Sequence, residues 1–431
     1  MDELGLTLIF LTVLFLLLGS GVWVAVSLIG VATVGMMLFT SRPVGDAMAT
    51  TIWGASSSWT LTALPLFIWM GEILFRTRLS ENLFKGLAPL MHRLPGGLLH
   101  VNIAGCTVFA AISGSSAATV ATVGKMSIPE LRQRRYPENM IVGTLAGAGT
   151  LGLLIPPSIT LIIYGVTVNE SIAKLFMAGV LPGLMLAMLF MGYVAIWSLL
   201  TGGAENPGER SGNLRDVLQL VPVLVLIAGV MGSIYMGIAT ATEAAVLGVL
   251  GALVLSALQG SLTLTTFRES LLGATRTSAM IAFILAGSTF LSLAMGFTGL
   301  PRTLAIWIGG LELSPWMLIV ALTAFYIVLG CFLDGISSVV LTMAVIEPLV
   351  RQAGFDMIWF GIFLMIVVEM AQITPPVGFN LFVLQGMTGK DMGFIARSAV
   401  PMFLIMVLAV AILASFPDIA TFLPELMSNR N

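Results

Sequence analysis

The stretch GLLIPPSIT, residues 152–160, sets two adjacent prolines inside a long apolar run, and TPPVG at 374–378 does so again. Proline lacks a backbone N–H, and its ring clashes with the carbonyl one turn earlier. Pro156 and Pro157 therefore free carbonyls near Gly152 to Ile155, and Pro375 with Pro376 frees those near Ala371 to Thr374. In hydrocarbon such groups persist only where protein, water or an ion satisfies them. Carbonyls and hydroxyls together offer a dehydrated Na⁺ its hard oxygens without a buried charge. Ser113, Ser115, Ser116 and Thr150 supply hydroxyls in the first half of the chain, and Ser337, Ser338 and Thr374 in the second. Gly114, Gly147, Gly149, Gly152, Gly335 and Gly378 allow close backbone approach and positive φ. A helix beginning after such a turn presents free N–H groups suited to an anionic substrate.

Among the acids, Asp334 sits in FLDGISS with apolar flanks, where it holds a cation, contacts a substrate, or caps the helix starting at Gly335. Glu243 and Glu347 fit interfacial positions, whereas Glu369 precedes the second proline pair inside an apolar run. Only two histidines are present, His92 and His100, and no spacing of His, Cys, Asp and Glu suits zinc. With neither GxSxG nor a Walker A sequence, hydrolase and ATPase chemistry lack support, and the chain reads as no enzyme. Cys106 and Cys331 lie far apart in apolar segments and read as buried small side chains. A proline pair alone also suits a surface turn, and Gly/Ser alone suits helix packing. Four such features in two matched pairs point to a site.

These residues need a membrane fold to position them. Of 431 residues 58% are hydrophobic and 9% charged, with mean hydropathy +1.04, more apolar surface than a water-soluble globule hides. Apolar runs long enough to span about 30 Å of hydrocarbon recur throughout, so the fold class is all-α and polytopic. A net charge of −2 and the lack of a Lys/Arg arm give no case for nucleic acid. Two basic clusters, Arg76, Arg78, Lys85, Arg93 and then Lys125, Arg132, Arg134, Arg135, both belong on the cytoplasmic side. Residues 98–124 between them start and end on one side, which predicts a re-entrant hairpin with limbs at 98–112 and 117–128 and its tip at ISGSS. The stretch FRTRLSENLFKGLAPLMHRLPGG, residues 75–97, suits a helix lying in the interface. Spans at 5–19, 21–40 and 60–75 then place the amino terminus outside, in the periplasm, and the start has no signal-peptide pattern. Further spans are expected at 139–168, broken at the prolines, then 177–200, 217–239, 242–258 and 277–296, with a polar linker at 201–216.

The chain also repeats itself. IPEL at 128–131 returns as IEPL at 346–349, Pro156 as Pro375 and Pro182 as Pro401, with offsets of 218, 219 and 219 residues. The counterpart of the first tip is FLDGISS at 332–338, in a second hairpin at about 316–348 that the span count opens from outside. Inverted repeats with re-entrant hairpins and two Pro-Pro broken helices at matching places point to a secondary transporter with a midplane site. Arg302 and Arg351 on the outer side run against that count.

Four stretches, SGSSAATVATVGKMSIPEL, AGAGTLGLLIPPSITLIIYG, DGISSVVLTMAVIEPLV and ITPPVGFNLFVLQG, resemble the large membrane (M) subunit of tripartite ATP-independent periplasmic (TRAP) transporters, a likeness over essentially the whole chain. The resemblance implies an elevator-type, Na⁺-coupled importer in the bacterial inner membrane that takes up an organic acid or similar small solute. It implies a periplasmic substrate-binding protein and a small four-helix Q membrane subunit as partners, and no cofactor besides Na⁺ as coupling ion. Carried onto this sequence, one sodium site comprises Ser113, Ser115, Ser116, Gly149, Thr150, Gly152 and Pro156, and the other Gly335, Ser337, Ser338, Thr374, Pro375 and Gly378. Asp334, Ser115, Ser116 and Asn380 are expected at the substrate. The expected division is a scaffold and interfacial arm at 1–96, first transport elements at 97–200, linker and scaffold at 201–296, and second arm and transport elements at 297–431, with the second broken helix at 357–387. Where the family commonly has a proline-rich stretch after the hairpin-two aspartate, this chain has DGISSVVL. A stand-alone Na⁺/dicarboxylate carrier of similar hairpin architecture is the competing reading.

Overall fold

The computed structural model describes residues 12–77, 79–201, 214–298, 314–330, 333–375 and 378–428. After helical residues 12–19 come α1 (Val24–Phe39), α2 (Val44–Ser56), α3 (Ala63–Arg76) and α4 (Leu79–Met91). The first site-bearing block follows as α5 (Leu99–Ser113), α6 (Ser116–Gln133), α7 (Glu138–Gly149), α8 (Leu151–Leu154), α9 (Ile159–Val168) and α10 (Ile172–Thr201). Helices α11 (Val221–Tyr235), α12 (Ala241–Leu258) and α13 (Leu264–Thr298) lead to the second block: α14 (Pro315–Gly330), α15 (Gly335–Gln352), α16 (Met357–Gln372), α17 (Phe379–Thr388) and α18 (Met392–Ser415). Helix α19 (Asp418–Ser428) closes the described chain.

Local chemistry sets the ends that matter. Gly114 adopts φ +58° and turns the chain between α5 and α6 in two residues, a conformation that costs glycine little. Ser115 then takes extended geometry at the α6 N-cap, and its carbonyl accepts from the Thr119 amide. Asp334, Asp356 and Asp391 cap α15, α16 and α18 with their carboxylates, and Thr240 with Glu243 forms a reciprocal capping box on α12. The box accounts for Glu243.

Five helices among the described residues are long and apolar enough to cross a membrane: Ile172–Thr201, Asp216–Tyr235, Ala241–Leu258, Leu264–Phe297 and Met392–Ser415. The pair Glu138–Leu154 and Ile159–Val168, bent by 41° at the prolines, makes a sixth if taken as one span. The order of the first block returns in the second. Helices α6 and α15 begin 219 residues apart, at Ser116 and Gly335, and so do α7 and α16, at Glu138 and Met357.

Packing divides the work. Helix α13 packs on α1, α3 and α15, and α3 also packs on α12. Within the blocks, α5 packs on α6, α7 and α8, while α14 packs on α16; between them, α9 packs on α15. The blocks interlock, with α6 against α17, α7 against α18 and α8 against α16. Close crossings rest on small residues: a Cβ at Gly143 of α7 would lie 2.4 Å from the Ser398 carbonyl oxygen of α18.

Several boundaries move from the sequence reading. The span expected at 277–296 is part of a helix starting at Leu264, because its polar N-terminal turns are anchored on α3: Arg76 pairs with Glu269 at 3.1 Å, and Trp69 Nε1 donates to Ser270 Oγ. The limb expected at 117–128 runs from Ser116 to Gln133, since Pro129 sits inside the helix without ending it. Helices α2 and α19 were not anticipated, as VGDAMATTIWGAS and DIATFLPELMS are too polar or too short to read as spans. The expected 217–239 span begins as a 3₁₀ turn at Leu214–Leu220 and ends as helix at Tyr235. Asp2, Glu3, Arg78, Arg210, Arg302, Cys331, Phe332, Pro376 and most of the 201–216 linker lie outside the described residues or side chains.

Candidate functional site

The first tip meets the first break. A Cβ at Gly152 would lie 2.6 Å from both the Ser115 carbonyl carbon and the Ser116 nitrogen, and one at Gly114 would lie 3.0 Å from the Pro157 carbonyl oxygen. Gly149 faces Val120 and, at 3.8 Å, the Ser116 carbonyl oxygen. Backbone thus lies on backbone, as the glycines suggest. The break itself is stitched: Ser158 Oγ donates to the Leu153 carbonyl at 2.5 Å and accepts from the Leu161 amide at 3.3 Å, capping α9. The Leu153 carbonyl, expected to be free for an ion, is therefore engaged by Ser158.

The hydroxyls around this tip differ in availability. Ser113 Oγ is hydrogen-bonded to Thr119 Oγ1 at 2.8 Å and lies 3.2 Å from the Ser115 carbonyl oxygen. Thr150 Oγ1 donates back to Gly147 at 2.6 Å within its own helix. Ser116 Oγ donates instead to Glu369 Oε1 of α16, in the other block. Pro156 is buried at the bend.

The second tip meets α16 one turn earlier than expected. The Leu333 carbonyl accepts from Gln372 Nε2 at 3.4 Å, and a Cβ at Gly330 would lie 2.5 Å from Ala371 Cβ. Gly335 packs on Leu153 of α8 and Val368 of α16. These contacts fall on Val368 to Gln372, ahead of Thr374 to Gly378, because α16 stays helical through Gln372 and Thr374 Oγ1 still bonds the Met370 carbonyl at 2.7 Å. Ser337 and Ser338 are buried on α15, and Ser338 Oγ has no partner among the described residues. Gly378 holds φ +43° at the start of α17, two residues before Asn380, which is fully buried with both amide atoms unpartnered among the described residues. Pro375 lies at the exposed edge of the break.

A family model for the DctM component of tripartite ATP-independent periplasmic transporters matches residues 11–419. This chain belongs to that family. The C4-dicarboxylate TRAP transporter large permease of Pseudomonas aeruginosa is 32% identical over 88% of this chain and 89% of its own. The isethionate TRAP transporter permease DctMQ of Oleidesulfovibrio alaskensis is 30% identical over 95% of this chain and 64% of its own length. In fold, the chain is similar to the YdaH transporter of Alcanivorax borkumensis, with TM-score 0.64, 12% identity, and 91% of this chain covered against 96% of that one. This DctM-family chain is thus a multi-pass inner-membrane transport subunit, and its relatives are permeases, not enzymes.

In this DctM-family chain the geometry brings Ser115, Ser116, Gly149 and Gly152 together, and Gly335 joins them across Leu153. Ser113 and Thr150 bond within their own segments. Asp334 is exposed, and its Oδ2 accepts from the Ile336 amide at 3.1 Å and the Ser337 amide at 3.4 Å. The carboxylate placed at the substrate on sequence grounds is thus seen capping α15. Asp334→Ala is expected to lower the stability of the detergent-purified chain by about 1 kcal/mol, with Asp334→Asn recovering most of it, as thermal unfolding would report. An Asn variant as unstable as the Ala variant would count against a capping role. Glu369 and Gln372 were not assigned to a site from sequence. The signal for Glu369 was an acid in an apolar run; Gln372 gave none.

Proposed function

We propose that this chain is the membrane permease subunit of a Na⁺-coupled TRAP symporter that imports an organic acid or similar small solute delivered by a periplasmic binding protein. TRAP large permeases in general work with a small membrane subunit and such a binding protein, and the DctMQ relative's name joins the two membrane components. The named solutes of the two relatives differ, so the solute class is left at small organic acids and their like.

One observation carries the reading: two helix-pair tips close on two interrupted helices, leaving the buried atoms Ser338 Oγ, Glu369 Oε2 and both amide atoms of Asn380 without partners among the described residues. An aqueous or ionic occupant satisfies such groups, and a midplane cation and solute are the occupants that an inverted-repeat transporter takes. In this reading the two hairpins are re-entrant from opposite sides, the amino terminus is periplasmic, and the hairpins with the broken helices move as an elevator against the helices around α13. Na⁺ is the coupling ion at both tip-and-break contacts, and no other cofactor takes part.

Proteoliposomes carrying this chain with its small membrane subunit, supplied with solute-loaded binding protein, should accumulate solute only under an inward Na⁺ gradient. Replacing Na⁺ by choline should reduce initial uptake more than about tenfold, the change about 1.4 kcal/mol of coupling produces. Uptake indifferent to that exchange would refute the coupling, and uptake without the binding protein would favour the stand-alone carrier.

A further inference from the structure

Glu369 is 1% exposed in the last turn of α16, with Oε1 accepting from Ser116 Oγ and Oε2 without a partner among the described residues. None of the described ion pairs includes it, and Arg351, the basic residue of the packed helix α15, is held by Glu347 at 2.9 Å and the Val168 carbonyl at 3.0 Å. A carboxylate withdrawn from water without a positive partner is costly, beyond what the Ser116 hydroxyl and the Leu153 backbone return. The start of α6, at Ser116, lends the positive end of a helix dipole, which offsets part of that cost. A proton or a cation at Oε2 would offset the rest.

The repeat register sharpens the point. At an offset of 219 residues, Glu369 occupies the place that Thr150 holds in the first block. Thr150 is neutral and bonds its own helix, whereas Glu369 reaches across to the first tip. The two blocks therefore supply matched backbone and unmatched charge.

We propose that Glu369 is an anionic ligand of the cation site at the first tip, contributed across the molecule by the second block, with a small monovalent cation, Na⁺, bound at Oε2 beside Ser116. The inference deepens the function proposed above and rests on it. The first site, loaded, is neutral; the second, built of hydroxyls and carbonyls, carries its cation's charge.

The test uses the purified full-length chain in detergent, titrating NaCl against choline chloride at constant ionic strength and reading the thermal midpoint, which rises as a ligand binds the folded state. Glu369→Gln keeps the size and an acceptor for Ser116 but removes the charge. In choline alone the E369Q variant should melt above the wild type, because the uncompensated anion is gone. At high Na⁺ the order should invert, with half-saturation in E369Q at a Na⁺ concentration about tenfold higher or more, since ligand charge sets cation affinity. Glu369→Asp keeps the charge and should retain a weakened Na⁺ response; it decides the matter should E369Q not be recovered, because an Asp variant with wild-type half-saturation overturns the proposal. So does an E369Q variant that is offset from the wild type by the same amount at every Na⁺ concentration, the mark of a purely structural bond. A wild type with no Na⁺ response refutes Na⁺ coupling itself, and the two failures are thereby told apart.

Discussion

Gly152→Leu is expected to abolish Na⁺-driven uptake and to lower the thermal midpoint of the purified chain. A side chain there meets the Ser115 carbonyl carbon and oxygen and the Ser116 nitrogen at 2.6–2.7 Å, all of them backbone atoms that cannot rotate away. Either the tip or α8 has to shift, at a cost of about 1–3 kcal/mol for overpacking of this kind. The shift parts the tip from the break, and a site assembled from main-chain groups has no flexible side chain with which to follow. Uptake should fall below about a tenth of wild type, the ratio that about 1.4 kcal/mol produces. Gly192→Ala in α10, where a Cβ would have no heavy atom within 4 Å, is the matched control and should behave as wild type. If Gly152→Leu transports as well as that control, the tip-and-break contact does not build the site.

Asn380→Leu should separate stability from transport. Asn380 is fully buried on the first turn of α17, and neither its amide nitrogen nor its amide oxygen has a partner among the described residues. A buried unsatisfied polar group costs about 1–3 kcal/mol, and leucine fills a similar volume without that penalty. The variant should therefore unfold at a higher temperature than the wild type and transport little or nothing, as thermal melts and proteoliposome uptake would show. Raised stability with uptake intact would remove Asn380 from the substrate site. A lowered midpoint would mean that the amide has a partner in the protein.

The sequence made the breaks and tips legible because their chemistry is local. Two prolines in an apolar run interrupt a helix whatever surrounds them, and glycine with serine between short limbs makes a turn. Hence Gly114 and Ser115 lie at the first tip and residues 155–158 between α8 and α9, with the second-block elements at the same spacing. Which group faces which was not legible, because it depends on the pitch of helices that meet only in three dimensions. Helix α16 persists through Gln372, so the second tip rests on Val368 and Ala371, and Thr374 turns back to its own helix. Ser158, an N-cap by its place before an apolar turn, also takes up a carbonyl that the proline pair had freed. The long α13 escaped notice for the opposite reason: its first turns are polar, and the ion pair and the tryptophan bond to α3 help hold them as helix.

The bond from Ser116 to Glu369 joins residues 253 positions apart in the chain. While the first block is being synthesised and inserted, the carboxylate that its tip will hold has not yet been translated. Non-local contacts of this separation form late and slowly. The first tip and break therefore wait in the bilayer as an unfinished half, and the contact between the two blocks closes only when the last third of the polypeptide arrives.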